Sequence, residues 1–120
     1  MGKKILIVDD EPDLLRVVCF RLEKIGYQVI SAVNGQEALE LAGKELPDLM
    51  LLDVRLPLLG GPEVCSRIKK DERLKHIPVL LFTASTQSIT EKVEACGAQG
   101  YILKPFSSEE LFKKIKEFIS

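Results

Sequence analysis

The sequence predicts an α/β fold in which a five-stranded parallel sheet carries helices on both faces. Short apolar runs alternate five times with segments of helical periodicity, and the connections between them are short. The four residues before Asp53 are all apolar, which is typical of a strand that helices cover on both sides. An alternation of this kind forms a parallel sheet through right-handed crossovers.

Turn and cap signals set the bounds of the elements. Gly26 and Gly97 are placed to end the first and fourth helices. Pro62 stands where the first turn of a helix tolerates proline, and Ser107 with Glu110 three residues later is typical of a capping box. The predicted strands are residues 4–8, 27–33, 48–53, 77–82 and 100–103, and the predicted helices are 12–25, 36–43, 62–70, 87–96 and 108 onward.

The first helix is apolar on more than one face. A stripe at helical spacing predicts its core side, and the apolar residues outside that stripe exceed what one buried face requires. The surplus is either additional core or a docking surface for a partner helix. The predicted stripe is Leu14, Val17, Val18, Leu22 and Ile25, and the surplus is Leu15, Cys19 and Phe20.

The composition indicates one domain over residues 1–120. A chain of 120 residues is close to the commonest domain size and can bury a core without disulfides. The net charge of −1 gives no electrostatic reason to expect a nucleic acid or a membrane as partner. No apolar run approaches the ~20 residues of a membrane span, and the early acids exclude a signal peptide.

The cysteines predict a reducing, cytoplasmic location. Cys19, Cys65 and Cys96 are odd in number, widely spaced and without a CxxC pair, which argues against disulfides and a zinc site. We interpret them as small apolar residues of helices. The single histidine, His76, is predicted to lie in a surface loop.

Polar residues follow four of the five predicted strands. Asp9 and Asp10 follow the first strand, Asp53 ends the third, Thr83 follows the fourth and Lys104 follows the fifth. Because the carboxyl ends of parallel strands meet at one edge of a sheet, these side chains are predicted to share one crevice.

The residue types in this crevice indicate phosphoryl chemistry with a divalent cation. Three carboxylates within ~4 Å repel one another by several kcal/mol per pair, so either one of them stays protonated or a cation lies among them. A few oxygen ligands beside room for a phosphate suit Mg²⁺. We predict that Asp53 is the nucleophile that forms an acyl phosphate, that Asp10 ligates the metal directly and that Asp9 acts through water. Lys104 and the Thr83 hydroxyl are predicted to hold phosphoryl oxygens.

Five segments of the chain form a specific set in this order: Val8-Asp9-Asp10-Glu11-Pro12, Asp53-Val54-Arg55-Leu56-Pro57 with Gly61, Thr83-Ala84, Ala95-Cys96-Gly97-Ala98 and Tyr101-Ile102-Leu103-Lys104-Pro105-Phe106. With these segments the chain resembles, over its whole length, the receiver domain of two-component response regulators, the CheY-like family. The resemblance implies a flavodoxin-like (βα)5 fold with strand order 2-1-3-4-5. The sequence departs from the common pattern at Gly60, where an acid is frequent, and at Pro62, where an aliphatic residue is usual.

The resemblance implies a role for each site residue. Asp53 would accept a phosphoryl group from the phosphohistidine of a sensor histidine kinase or phosphotransfer protein. Mg²⁺ would be bound by Asp10, Asp53 and the main-chain carbonyl of Arg55. Thr83 and Tyr101 would form a coupled switch pair, and the Lys104-Pro105 peptide bond would be cis.

The implied function is a signalling switch and not an enzyme that acts on external substrates. Phosphorylation is expected to shift the face of the fourth helix, fifth strand and fifth helix toward an active form, which binds a downstream protein or a second copy of the chain. Apolar residues beside the crevice, Leu14 or Leu15, Cys19 and Pro105-Phe106, are a candidate docking surface for the kinase.

Three other functions fit the fold less well. A flavin-binding protein needs a phosphate-binding loop after the first strand, where acids stand here. An aspartyl-phosphate hydrolase usually has a second acid two residues after its nucleophile, and Arg55 occupies that position. A protein-interaction module that is not phosphorylated is the remaining alternative, and the intact acidic set argues against it.

Overall fold

The computed structural model describes residues 2–119, and the first and last residues of the predicted 1–120 domain lie outside the described residues. Five strands alternate with five helices, as predicted. The strands are β1 (Lys4–Val8), β2 (Gln28–Ala32), β3 (Leu49–Asp53), β4 (Val79–Thr83) and β5 (Gly100–Leu103), and the helices are α1 (Pro12–Lys24), α2 (Gly35–Glu45), α3 (Gly61–Lys70), α4 (Ile89–Cys96) and α5 (Ser108–Lys116).

The strands form one parallel sheet in the order β2-β1-β3-β4-β5, which confirms the predicted flavodoxin-like topology. β3 lies at the centre, between β1 and β4, and both β3 and β4 are buried at every position. Asp53 therefore ends the central strand of the sheet, level with Phe82 of β4.

Alternate residues of the strands feed two cores, one on each face of the sheet. Met50 and Leu52 of β3 pack in the core beneath α2, α3 and α4, whereas Leu49 and Leu51 pack in the core beneath α1 and α5. Both faces of the central strands are thus covered, which explains their continuously apolar sequence.

The predicted core stripe of α1 is partly wrong. Leu15, Val18 and Leu22 are the buried residues of this helix, whereas Val17 and Ile25 are exposed and Leu14 is half-buried. Leu15 is core and therefore unavailable as a docking residue. The helix carries apolar residues around most of its circumference, so periodicity alone did not determine which side meets the sheet.

The cap signals mark the helix ends well. The side chain of Asn34 accepts a hydrogen bond from the Glu37 N–H at the start of α2, and the Ser107–Glu110 capping box is present at α5. Gly97 ends α4 with a φ of 82°. α4 begins two residues later than predicted because Ser88 adopts a left-handed conformation with no side-chain cap.

The cysteines and the histidine lie as the sequence predicts. Cys65 and Cys96 are buried in the core, where the Cys65 thiol donates to the Cys96 carbonyl at 3.3 Å, and all three cysteines are free. His76 is exposed. Between residues 2 and 119, no helix is both long and apolar enough to cross a membrane.

Candidate functional site

Three carboxylates converge at the carboxyl edge of the sheet. Asp9 and Asp10 follow β1, and Asp53 ends the neighbouring strand β3. One oxygen from each of the three lies within 4.8 Å of the other two. The short acidic segment after β1 and the acid at the end of β3 therefore meet because their strands are adjacent and parallel.

The two acids after β1 differ in their surroundings. Asp9 is fully buried, and its Oδ1 accepts the Glu11 N–H at 2.9 Å. Asp10 is exposed and lines the crevice. Asp10 is thus the more accessible of the two to an ion from solvent, and the roles predicted for both residues stay predictions.

The Lys104 ammonium lies among the carboxylates. Its Nζ donates to Asp9 Oδ2 at 2.7 Å and to Asp53 Oδ2 at 3.1 Å, and it lies 3.4 Å from Glu11 Oε1. The side chain reaches the crevice from the segment after β5. The Lys104-Pro105 peptide bond is cis, as the resemblance implies. The ammonium thus neutralises part of the acidic cluster.

The Asp53 carboxylate is buried and its oxygens have internal donors. Oδ1 accepts the Arg55 N–H at 3.0 Å, and Oδ2 accepts from Lys104. Burial raises the pKa of the Asp53 carboxyl above its ordinary value, against the lowering effect of those two donors, and the charge of Asp9 adds to the rise. The ionised form is therefore less favourable at this position than in water.

The pKa of Lys104 moves in the same direction for a different reason. Burial by itself would lower the pKa of the ammonium, but the hydrogen bonds and charges of Asp9 and Asp53 outweigh that effect and hold it above its ordinary value. Lys104 is therefore a fixed positive charge at neutral pH, suited to anionic oxygens.

Thr83 lines the same crevice but its hydroxyl is engaged elsewhere. Thr83 Oγ1 donates to the Ser85 carbonyl at 3.1 Å and accepts the Ser85 N–H at 3.0 Å. Tyr101 lies on the neighbouring strand, opposite Leu81, and its side chain is partly exposed. The structure thus brings Thr83 to the crevice and leaves Tyr101 on the outer part of the sheet.

The crevice is large enough for a small anion. Its volume is about 360 Å³, and its lining consists of Asp10, Glu11, Asp53, Arg55, Thr83, Ala84, Ser85 and Lys104. Gly61 packs against the backbone of the nucleophile candidate, because a Cβ atom at this position would collide with the Asp53 carbonyl. The matching segments included Gly61, but this contact was not predicted.

The role of Glu11 as a partner of Lys104 was not predicted from the sequence. Its position directly after Asp9-Asp10 was the available signal, but acids are common at a helix start, where the helix dipole stabilises their negative charge. The contact depends on where the segment after β5 returns to the sheet, which local sequence does not specify.

Comparison with known proteins identifies the family. The model of the response regulator receiver domain matches residues 5–116, which run from the second residue of β1 to the end of α5. The chain is a response regulator receiver domain. Receiver domains of this family are signalling proteins of two-component systems and not typical enzymes, so this receiver domain belongs to phosphorylation-based signalling.

The similar curated proteins are regulators of transcription. The receiver domain is 40% identical over 120 residues to the alkaline phosphatase synthesis transcriptional regulatory protein PhoP of Bacillus subtilis, covering 99% of the chain and 49% of that protein. It is 41% identical over 118 residues to the DNA-binding dual master transcriptional regulator RpaA of Synechocystis, covering 97% of the chain and 48% of that protein. The chain spans about half the length of these relatives.

Solved structures of receiver domains superpose closely. The chemotaxis response regulator CheY4 of Vibrio cholerae has a TM-score of 0.93 at 32% identity, covering 99% of this chain and 100% of that one. The receiver domain of the sensor histidine kinase PA1611 of Pseudomonas aeruginosa, solved with magnesium in its active-site cleft, has a TM-score of 0.92 at 31% identity, covering 99% and 98%. The regulator TrrA of Thermotoga maritima, in complex with Mg²⁺ and BeF, has a TM-score of 0.88 at 34% identity, covering 98% and 99%.

The donor set of this receiver domain fits the same metal. Asp9, Asp10 and Asp53 offer only oxygen ligands, which Mg²⁺ prefers, and the ion accepts few protein ligands because it keeps several waters. Among residues 2–119 no histidine or cysteine joins this cluster, so it lacks the softer ligands that zinc prefers.

Proposed function

We propose that this receiver domain is a phosphorylation-dependent switch in which Asp53 accepts a phosphoryl group from the phosphohistidine of a sensor histidine kinase or phosphotransfer protein. The observation that supports this most is the contact between Lys104 and Asp53 within a cluster of three acids. A carboxylate nucleophile beside a fixed ammonium suits phosphoryl transfer, because the carboxylate can attack phosphorus while the ammonium stabilises the charge of the phosphoryl oxygens.

In the proposed step an Asp53 oxygen attacks phosphorus as the bond between phosphorus and the histidine nitrogen breaks. The electron pair of that bond returns to the imidazole, and a new oxygen–phosphorus bond forms the acyl phosphate. Lys104, now 3.1 Å from Asp53 Oδ2, can transfer one of its hydrogen bonds to a phosphoryl oxygen. The transfer is then mostly a matter of position and charge, as in other phosphoryl transfers.

The proposed cofactor is Mg²⁺, which would be held by Asp10, Asp53 and the main-chain carbonyl of Arg55, with Asp9 acting through water. When bound, this cation supplies positive charge that offsets the charge of the transferred group. The exposed position of Asp10 and the internal bonds of Asp9 support this division of roles.

Thr83 and Tyr101 are the proposed switch pair. To donate to a phosphoryl oxygen, the Thr83 hydroxyl must give up its bond to the Ser85 carbonyl, and that movement vacates space toward which Tyr101 can turn. The loop after Thr83 leads to Ser88, which precedes α4 in a left-handed conformation and makes no side-chain cap. Such a backbone stores strain, and the proposed rearrangement at the start of α4 would release it.

The proposed output surface is the face formed by α4, β5 and α5. On the edge strand β5, Tyr101 and Leu103 are both exposed and point to the same side because they are two residues apart. Two large apolar side chains on an exposed edge strand suit contact with a downstream protein or with a second copy of the chain.

The proposed kinase docking surface is an apolar groove between α1 and the segment after β5. The groove encloses about 550 Å³ and opens beside Lys104. Phe106 forms part of its wall and stacks on Phe82 with ring centroids 5.3 Å apart. The apolar residues that line this groove are Leu14, Val17, Val18, Ala84, Pro105, Phe106 and Leu111.

The deciding experiment is the intact mass of the protein after incubation with acetyl phosphate and Mg²⁺. We expect the addition of one phosphoryl group, and its loss in Asp53→Asn and after chelation of the metal. Asp13→Asn removes an exposed acid whose one ion pair within residues 2–119 is with Arg16, and it should be labelled like the wild type. Absence of labelling in the wild type would contradict the proposal and favour an interaction module that works without phosphorylation.

A further inference from the structure

Glu11 directs its side chain to the crevice and not to its own helix. It occupies the N-cap position of α1, where a carboxylate commonly accepts a hydrogen bond from the first helical turn, yet it makes no such cap. Its Oε1 instead lies 3.4 Å from the Lys104 ammonium. The residue thus forgoes a local contact for one that joins positions 93 residues apart.

Asp9 contacts both Glu11 and Lys104. One of its oxygens accepts the backbone N–H of Glu11 at 2.9 Å, and the other accepts the ammonium of Lys104 at 2.7 Å. Glu11 and Lys104 are therefore held on the two oxygens of one buried carboxylate. The three N–H donors of the ammonium face one oxygen each from Asp9, Asp53 and Glu11.

The three partners of Lys104 differ in burial, and this difference decides their roles. Asp9 and Asp53 are buried, whereas the Glu11 side chain is 63% exposed at the mouth of the crevice. An exposed ion pair contributes little to stability. Its charge nevertheless lies beside the path by which an anionic donor reaches Asp53, where it acts on the approach of that donor.

We propose that Glu11 is a positioning residue that holds Lys104 on the outer side and selects against small, highly charged phosphodonors. This inference rests on the proposed function of Asp53. Glu11 adds a negative charge at the entrance and engages one donor of the ammonium that the phosphoryl group must recruit. Because electrostatic repulsion grows with the charge of the donor, removal of the Glu11 charge should favour the approach of a dianion more than the approach of a monoanion.

The test compares two donors of different charge. Acetyl phosphate carries two negative charges at neutral pH, whereas phosphoramidate carries one. We expect Glu11→Gln to raise the initial rate of labelling by acetyl phosphate about two- to five-fold, which is at most ~1 kcal/mol at 1.4 kcal/mol per tenfold, and to raise the rate with phosphoramidate by less. The difference should shrink in about 1 M salt, where the Debye length is near 3 Å.

Two further variants distinguish an effect of the charge at Glu11 from an effect of any negative charge at the start of α1. Glu11→Asp keeps the charge and should keep the donor preference of the wild type. Asp13→Asn removes a charge from the same helical turn without a contact to Lys104, and its labelling rates should not change. An equal gain with both donors, or the same gain in Asp13→Asn, would overturn the proposal.

A second readout needs neither metal nor donor. In the wild type the Lys104 ammonium has three partners, so hydrogen exchange of its protons, followed by nitrogen-15 NMR, should be slow. We expect faster exchange in Glu11→Gln, and unchanged exchange would refute the proposed restraint. If neither donor labels the wild type, the function proposed for Asp53 fails while the exchange measurement still decides the role of Glu11.

Discussion

The ammonium of Lys104 lies 3.1 Å from Asp53 Oδ2 and thereby joins the ends of two strands that are 51 residues apart in the chain. β3 and β5 are not neighbours in the sheet, since β4 separates them. The contact therefore bridges a strand, and it makes the charge balance of the crevice a property of the whole fold.

Replacement of Lys104 by Met should destabilise the metal-free protein by roughly 2 kcal/mol, because a buried carboxylate that loses its cation keeps its desolvation cost. Asp9, which is fully buried, suffers most. Urea denaturation measures the loss, and saturating Mg²⁺ should restore part of it. The matched control Lys75→Met removes an exposed pair with Glu72 and should cost less than about 1 kcal/mol. Equal losses in the two variants would contradict the prediction.

Asp53→Asn should make the metal-free protein more stable at neutral pH. The pKa of this carboxyl is raised by burial, so the folded chain binds the proton more tightly than the unfolded chain does. The resulting stability is fully present below the ordinary pKa of 3.8 and is lost as the pH rises through the raised value. We expect a gain of about 1 kcal/mol at pH near 7, mainly because the buried charge no longer has to be desolvated and also because its repulsion by Asp9 is removed.

Denaturation curves of the wild type and Asp53→Asn over a range of pH without Mg²⁺ check this sign. The advantage of the variant should shrink as the solution is made more acidic. If the difference in unfolding free energy between the two proteins stays constant with pH, or grows in acid, then the ionised Asp53 does not destabilise the fold.

Phosphorylation should bury Tyr101. The protein has two tyrosines, and Tyr27 is already buried, so Tyr27→Phe leaves a single reporter that is 37% exposed. Quenching of its fluorescence by iodide should fall after treatment with acetyl phosphate and Mg²⁺. Thr83→Val should abolish the fall, because it removes the hydroxyl that reorients. The converse reporter, Tyr101→Phe, follows Tyr27 and should show no change.

Gly61→Ala should damage the site far more than Gly60→Ala. A Cβ atom at Gly61 collides with the Asp53 carbonyl, whereas one at Gly60 meets Val54 at an ordinary distance of 3.4 Å. The first variant must move the start of α3 or the end of β3, at a cost of roughly 1–3 kcal/mol. Thermal unfolding and the rate of labelling by acetyl phosphate measure the difference, and two variants of equal behaviour would exclude the close approach.

The groove beside Lys104 predicts a selective effect on kinase recognition. Val17→Asp places a charge in its apolar wall and should slow phosphotransfer from the cognate kinase at least ten-fold, an effect of about 1.4 kcal/mol, while labelling by acetyl phosphate stays unchanged. Phe20→Asp is the matched control because Phe20 lies on another side of α1 and is more exposed. If the Phe20 variant is the slower one, the kinase docks on the other side of the helix.

The sequence predicted the fold and the members of the crevice because both follow from local pattern and one topological rule. Apolar runs set the strands, and the parallel arrangement brought Asp9, Asp53 and Lys104 to one edge. The chemical roles of these residues and of Thr83 stay predictions until phosphorylation is measured.

Two features lay beyond the sequence for physical reasons. On α1, apolar residues surround the helix, and its packing against the sheet buries Leu15 and leaves Val17 exposed. At α4, Ser88 is an ordinary N-cap residue by type, yet its left-handed backbone denies it that role. Each outcome depends on long-range packing, which a local window does not contain.

The ammonium of Lys104 contacts the carboxylates of Asp9, Glu11 and Asp53 and serves as their internal counter-ion. Because this ammonium offsets part of the carboxylate charge, we expect the domain to stay folded at low Mg²⁺ concentration. With the Mg²⁺ dependence proposed above, removal of the metal should then prevent phosphorylation without unfolding the domain.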